Sequence, residues 1–505
     1  MPSRQGPFIL AIDQGTSATK SALIDAAGRF VARGSAPLTE RHPKPGWVEQ
    51  DGREIWASVR EAVRRCLDGV DARAVQAGAI VAVGLSTQRE SVLLWDAATG
   101  EPVSPVISWQ DQRGTELCDA LRSDATEQLV RLRTGLPLDP MFSAVKASWL
   151  LDAHDPDRVR SKAGAIRLGT IDSWLLACLS GEHLIEAGNA SRTQLLNVAR
   201  VDWDDDLPAL FGIPRACLPR IVASTGPFPA TRGLGPLPDG TPLHAVMGDS
   251  HAALFGHGAL APGQVKATYG TGSSVMGLLA HPSELQAGLC LTIGWMTDRP
   301  AYAAEGNIRS SGATLRWLAS ILDVEVPALV AMGLAAASDG VVLVPGFGGL
   351  GAPWWDRNAV GLLSNLTLGT SRAALARAAL ESVVNQVGDL VEAIAHSVGE
   401  VSTLFVDGGP MRSDGLVQMQ ADRIGRPVLR ASEPELSALG VAHLAGLAGG
   451  LWSREDLEAL PRPRDRFEPG SESPASRERV RQWYDAVARA GSRAVREIGP
   501  KEIAR

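Results

Sequence analysis

Two stretches of the chain repeat one another in kind, and that repetition limits what the chain can fold into. Phe8 to Ile12 is a compact apolar run that opens into Asp13-Gln14-Gly15-Thr16-Ser17-Ala18-Thr19-Lys20. Ser21 to Asp25 resumes the apolar pattern, and Ala26-Ala27-Gly28-Arg29 reads as a hairpin turn. Further on, Val265 to Tyr269, the loop Gly270 to Ser274 and Val275 to Leu279 are again strand, Gly/Thr/Ser loop, strand. Such duplication predicts two related α/β domains facing each other across a cleft. Neither loop is a P-loop, because GxxxxGK[ST] opening a helix is absent. Both offer backbone amides and hydroxyls to a phosphate tail, and Asp13 stands where it could orient a hydrated metal.

Between the two repeats lies Met247-Gly248-Asp249-Ser250-His251, where a lone carboxylate sits between a short apolar strand (His244 to Met247) and a small-residue helical start. A carboxylate at a strand end can take a proton from a substrate hydroxyl. Together with the phosphate-binding turns, it points to phosphoryl transfer to an alcohol.

At 505 residues the chain exceeds one ordinary core, so two large domains are expected. A net charge of −7 argues against a surface that coats nucleic acid. Cys66, Cys118, Cys178, Cys217 and Cys290 are odd in number and contain no CxxC pair, so reduced, cytoplasmic thiols are expected. The polar N-terminus, Met1 to Gly6, shows no apolar core of signal-peptide length, and no uninterrupted apolar run approaches a membrane span.

Other segments add candidate recognition groups. A helix is expected over Gly52 to Leu67, from the apolar spacing of Ile55, Val59 and Val63. Ile80 to Leu85 reads as a strand that leads to Arg89-Glu90, a donor and an acceptor side by side that could grip hydroxyls; a surface ion pair is the bland alternative. Val106-Ile107-Ser108 ends in Trp109, which could cover the carbon face of a polyol or simply fill a core. Strands are expected at Gln194 to Val198, Val341 to Phe347 and Thr403 to Val406. Helices are expected at Gly312 to Ile321, Ser371 to about Val398 and Gly415 to Ile424. Asp407-Gly408-Gly409-Pro410 would let a flat adenine or ribose approach the backbone. A last helix, Ser476 to about Ile498, carries a thin stripe of Val480, Trp483, Val487 and Val495.

In this order and spacing, the motifs resemble the FGGY family of carbohydrate kinases, most closely its glycerol kinase branch, over Ile12 to about Trp452. They are Asp13-Gln14-Gly15-Thr16, Pro43-Lys44-Pro45-Gly46-Trp47-Val48-Glu49, Gln88-Arg89-Glu90, Ser108-Trp109-Gln110, Asn189-Ala190-Ser191-Arg192-Thr193, Gly248-Asp249, Tyr269-Gly270-Thr271-Gly272, Gly349-Leu350-Gly351-Ala352-Pro353 and Asp407-Gly408-Gly409. The resemblance implies an α/β fold of two ribonuclease-H-like, actin-type ATPase domains, 1–247 on the polyol side and 248–505 on the nucleotide side. It implies ATP and Mg²⁺, with Asp249 as general base and Asp13 beside the metal. Thr16, Ser17, Lys20, Gly270 and Thr271 would meet phosphates, and Gly312, Arg316, Gly409 and Pro410 would hold the nucleotide. Arg89, Glu90 and Trp109 match the glycerol kinase pocket. The partner implied is a small polyol or sugar rather than nucleic acid or a membrane, and a homodimer would fit, since dimers are common in such families.

Three pocket positions depart from that branch: Met141 stands where a tyrosine is usual, Ser250 for a glutamine and Ser274 for a phenylalanine. The losses predict a roomier pocket and an acceptor of four or five carbons, a polyol or ketose, with glycerol itself as the alternative. An actin-like regulatory ATPase that transfers nothing to sugar is a competing class, against which the Arg89-Glu90-Trp109 pocket speaks. A metal site from Asp249, His251 and His257 lacks helical i to i+4 spacing, so local hydrogen bonding is the better expectation for His251.

Overall fold

The computed structural model describes residues 6–68, 70, 79–282, 285 and 288–491. The chain forms two units, one of Met1–Leu260, Cys290–Ala303 and Glu435–Arg462, the other of Ala261–Leu289, Ala304–Pro434 and Pro463–Arg505.

In the first unit, β1 (Phe8–Gln14) is buried from Phe8 to Ile12, which explains its continuous apolar run: both faces of the strand are covered. It turns through residues 15–17 into β2 (Ala18–Asp25), and β3 (Phe30–Pro37) continues the meander. Helix α1 (Gly52–Leu67) has the expected bounds; the Asp51 carboxylate caps it at Arg53 N–H, and Ile55, Val59 and Val63 enter the core. With β4 (Ile80–Thr87) and β5 (Leu243–Gly248), the sheet runs β5-β4-β1-β2-β3. β4 runs parallel to both its neighbours, β1 and β5, and the register sets Gln14, Thr87 and Gly248 level. The residues that follow β4 and β5 therefore leave from one edge of the sheet, the carboxyl edge where α/β sheets bind ligands. A smaller sheet of Glu49–Gln50, Val106–Ile107, Val92–Asp96 and Ile166–Thr170 carries the Trp109 loop. Helix α2 (Ser143–His154) and α3 (Asp249–Gly256) complete the frame, α3 starting directly at the end of β5.

In the second unit, β6 (Gln264–Tyr269), β7 (Ser273–Leu278), β8 (Pro300–Ile308), β9 (Thr403–Gly408), β10 (Val428–Ala431) and β11 (Arg464–Phe467) lie in the order β8-β7-β6-β9-β10-β11. β6 pairs antiparallel with β7 and parallel with β9, and β9 parallel with β10. The series β10-β9-β6-β7-β8 repeats β5-β4-β1-β2-β3 strand for strand, so the duplication read in the sequence is a duplication of topology. Helices α4 (Gly312–Ile321) and α5 (Arg372–Val398) take the expected places.

The chain returns to the first unit with α6 (Leu436–Ala448), and this return is why a single division at 247/248 does not describe the units. α6 crosses α3 backbone to backbone. A Cβ on Gly440 would lie 1.8 Å from the Ala252 carbonyl oxygen, and one on Gly256 2.4 Å from that of Leu436. Gly84 of β4 also meets α6 closely, with the Val441 carbonyl 2.6 Å from where its Cβ would lie. Glycine is required wherever backbones approach in this way. Gly440→Ala should cost roughly 3 kcal/mol by overpacking, seen as a lower urea midpoint; an unchanged midpoint would show that the crossing yields.

Three expected elements are shorter than the pattern suggests. Only Leu196–Asn197 is strand within 194–198, because Gln194 has a φ of +64° and breaks the extended run. The strand expected at Val341 to Phe347 is Val342–Val344, ending at Pro345-Gly346. The last helix, α7, is Pro474–Ala490, capped by Ser473, with Trp483 and Val487 buried; Val495 and Ile498 lie outside the described residues.

Candidate functional site

At the carboxyl edge of the first sheet, two carboxylates come near each other. Asp13, one residue before the end of β1, accepts a hydrogen bond from Ser86 Oγ at 2.9 Å. Burial, and then the nearby Asp249 charge, push its carboxyl up to about 6, against the pull of Lys20 and the Ser86 hydroxyl. Asp249 is the first residue of α3, where a helix N-terminus favours negative charge. Its Oδ1 accepts the Ser250 N–H at 2.6 Å and faces Arg89 Nε at 3.5 Å, while its backbone carbonyl accepts Ser437 Oγ at 3.0 Å. The side chain remains 36% exposed, so a substrate can reach it.

Arg89 and Glu90 follow β4 and are both buried. Their burial excludes the surface ion pair of the bland reading. Arg89 turns to Asp249 and places Nη1 3.0 Å from His251 Nε2. A side chain on Gly248 would collide with the Arg89 chain at 2.5 Å, so glycine before the carboxylate makes room for the arginine. Glu90 sits at φ +62°, a conformation unfavourable for a side chain and found at sites the surroundings over-determine. Those surroundings are Ser143 Oγ, which donates to the Glu90 carbonyl at 3.0 Å, and Arg192 Nε, which donates to its carboxylate at 2.6 Å. Trp109 is partly buried and donates from Nε1 to Thr16 Oγ1 at 3.1 Å, joining its loop to the first Gly/Thr/Ser turn. Ser17 at the tip of that turn is exposed, and Lys20 is the cross-strand partner of Asp13.

The 141 position is held from behind. Lys146 of α2 is fully buried, and its Nζ donates to the Met141 carbonyl at 2.6 Å and the Ser108 carbonyl at 3.3 Å. Burial brings its ammonium down to about 8 despite the charges of Glu90, Asp111 and Asp139. Ser250 is partly exposed beside Asp249. The structure thus brings Asp13, Arg89, Glu90 and Asp249 to one edge, and Thr16 joins Trp109 of the smaller sheet to it. Sequence reasoning gave no role to Ser86, Lys146 or Arg192, and expected only local hydrogen bonding of His251, whose partners include the distant Arg89 and Thr292; Arg192 lies within a quoted motif, but nothing local marks it as the partner of Glu90.

The second unit carries the other candidate groups on its own sheet. The Gly270-Thr271 turn is exposed and seated on the start of α4: Gly312 N–H donates to the Gly270 carbonyl at 3.1 Å, and Ser311 N–H to that of Thr271 at 2.9 Å. Arg316 reaches back from α4 to Thr271 Oγ1 at 3.1 Å. Across the parallel β6–β9 pair, Tyr269 is level with Gly408, whose φ of +103° suits glycine, and Gly409 and Pro410 follow on the same edge. A Cβ on Gly409 would meet nothing within 4 Å, so the backbone there is open to approach. Ser274 Oγ donates to the buried Glu305 carboxylate at 3.1 Å.

These residues fit ATP with Mg²⁺. Mg²⁺ keeps most of its waters and takes one or two carboxylates together with phosphates. Asp13 offers a carboxylate whose charge is disfavoured until a cation arrives. Among the described residues no group of three or more His, Cys, Asp or Glu could hold a metal, and His251 is engaged with Arg89, so the Asp249–His251–His257 alternative falls. Among the described residues no single helix is long and apolar enough to cross a membrane.

The raised Asp13 carboxyl gives a stability test. An unfolded aspartate ionises near 3.8, so below that pH neither state is charged and Asp13 costs nothing. The cost grows as pH rises and is full above about 6. Without metal or nucleotide, Asp13→Asn should therefore be more stable than the parent at pH 7.5 by about 1–3 kcal/mol. The gain should vanish towards pH 4, and a gain independent of pH would contradict this assignment.

Residues 8–256 match the model of the FGGY family of carbohydrate kinases, N-terminal domain, and residues 265–449 that of the C-terminal domain. The chain is 42% identical over 492 residues to an apulose kinase of Pectobacterium atrosepticum, covering 96% of this chain and 98% of that one. It is equally, 42%, identical over 492 residues to a glycerol kinase of Aromatoleum aromaticum, with the same coverage. Among solved structures, Plasmodium falciparum glycerol kinase with ADP superposes with a TM-score of 0.87 at 27% identity, covering 96% of this chain and 98% of that one. A xylulose kinase from Lactobacillus acidophilus, at a TM-score of 0.83 and 21% identity over 96% of each chain, shares the fold.

Proposed function

Since the chain belongs to the FGGY family of carbohydrate kinases, two-domain phosphotransferases that use ATP with Mg²⁺ to phosphorylate a sugar or polyol, we propose that its acceptor is a four- or five-carbon polyol or ketose and that Asp249 is the general base. The observation that carries the site assignment is the convergence of Asp249, Arg89 and Glu90 on the carboxyl edge of one sheet, with Trp109 of the smaller sheet joined to it through Thr16. Arg89 would donate to acceptor hydroxyls, Glu90 would accept from them, and Trp109 would lie along the carbon face. Asp249 would take the proton from the attacking hydroxyl, whose oxygen then forms the bond to the γ-phosphorus as the bond to ADP breaks.

Asp13 would hold the hydrated Mg²⁺, which neutralises charge on the transferred phosphoryl group. The turns with Thr16, Ser17 and Lys20, and with Gly270 and Thr271, would bind phosphates; Gly312, Arg316, Gly409 and Pro410 would hold the nucleoside. Positioning does most of the work in such a reaction, and water must be kept from competing. Five free cysteines and the need for ATP support a cytoplasmic place of action.

The longer acceptor is supported by Met141, Ser250 and Ser274 in place of an aromatic, a long amide and a second aromatic, and by equal likeness to an apulose kinase and to glycerol kinases. Ranking kcat/KM over glycerol, erythritol, the pentitols, xylulose and ribulose tests it. A longer acceptor should lead, and glycerol far ahead of all others would overturn the acceptor class while leaving the kinase intact.

A further inference from the structure

Behind the acceptor residues runs a buried polar chain that the reaction itself does not use. His251 Nε2 lies 3.0 Å from Arg89 Nη1 and 3.2 Å from Thr292 Oγ1. Thr292 Oγ1 is 2.9 Å from Ser191 Oγ, and the next residue, Arg192, holds the Glu90 carboxylate at 2.6 Å. His251 is fully buried, as are Ser191, Arg192 and Thr292. The segment Asn189–Thr193 therefore reaches both acceptor-binding side chains, Glu90 directly and Arg89 through Thr292 and His251.

A guanidinium has five donors and no acceptor. The ring nitrogen 3.0 Å from it must accept, which assigns the imidazole as neutral with its proton on Nδ1. This contact fixes one side of a planar fork whose other side faces Asp249 at 3.5 Å. A long arginine chain loses much rotamer freedom when ordered, so an anchor that orders it in advance leaves less to be ordered when the acceptor binds.

We infer that His251 is a positioning residue for the acceptor: by accepting from Arg89 it holds the guanidinium in the orientation that binds acceptor hydroxyls beside Asp249. The inference rests on the reading of Arg89 as an acceptor-binding group. Its role belongs to His251 through a single acceptor atom, so a glutamine, whose Oε1 reaches about as far as Nε2, should replace it where a leucine cannot.

The test is a double-mutant cycle of His251→Leu and Arg89→Ala in the full chain, with His251→Gln as the rescue variant and melting temperature followed for each. His251→Leu should raise acceptor KM about tenfold or more, with ATP KM unchanged, and His251→Gln should restore most of it. In the Arg89→Ala background, His251→Leu should add nothing to acceptor KM. If Arg89→Ala raises acceptor KM while His251→Leu only lowers the melting temperature, the histidine is merely structural and the inference is wrong. If Arg89→Ala itself leaves acceptor KM unchanged, the acceptor reading fails first and the inference falls with it.

Discussion

Asp249→Asn should lose transfer by a factor of about 10²–10⁴, the usual worth of a positioned general base, while ATP binds as before. The substitution is close to isosteric. The amide oxygen can still accept the Ser250 N–H, now made at 2.6 Å, and the backbone carbonyl still accepts Ser437 Oγ at 3.0 Å, so α3 should keep its place. What goes is the lone pair basic enough to take a hydroxyl proton, together with the charge that faces Arg89 at 3.5 Å. Turnover under saturating acceptor and ATP measures the loss, and nucleotide binding by calorimetry separates it from a folding defect. Turnover near the parent value would remove Asp249 from the role of base.

Arg89→Ala should lower kcat/KM for the acceptor by roughly 100-fold, because hydrogen bonds to a charged, buried partner contribute about 1.5–3 kcal/mol. ATP KM should hardly move. The variant also leaves His251 Nε2 without its 3.0 Å donor and Asp249 without its cation, so part of the loss will appear in kcat. Arg89→Lys should not rescue it, since a single ammonium cannot face His251 and Asp249 at once as the planar fork does. Acceptor dependence unchanged in Arg89→Ala would mean that the acceptor binds elsewhere.

Much of the fold was legible because its signals are local. The strand–turn–strand units at Phe8 and Val265, the spacing of Ile55, Val59 and Val63 in α1, and the bounds of α4 all follow from period and turn chemistry over a few residues. The return of α6 to the first unit has no such signal. That helix is apolar almost all round, and what fixes it is Gly440 against Ala252 and Val441 against Gly84, contacts between residues far apart in sequence. The strand expected at Gln194 failed where a left-handed backbone interrupts an apolar run, which composition does not reveal. In the site, the carboxylates and the Arg89-Glu90 pair stood out as polar groups at strand ends. Their supports did not: Arg192 lies 102 positions from Glu90 and His251 162 from Arg89 in the chain. A buried cation or imidazole carries no mark in sequence that separates it from an exposed one.

The most direct test of the account is to follow the γ-phosphate of labelled Mg·ATP in the parent and in Asp249→Asn, with and without a polyol or ketose acceptor. Acceptor should stimulate ADP release in the parent, the label should appear on an acceptor hydroxyl, and both should be lost in the variant. Label passing only to water at a rate no acceptor changes, or transfer that survives in Asp249→Asn, would contradict it.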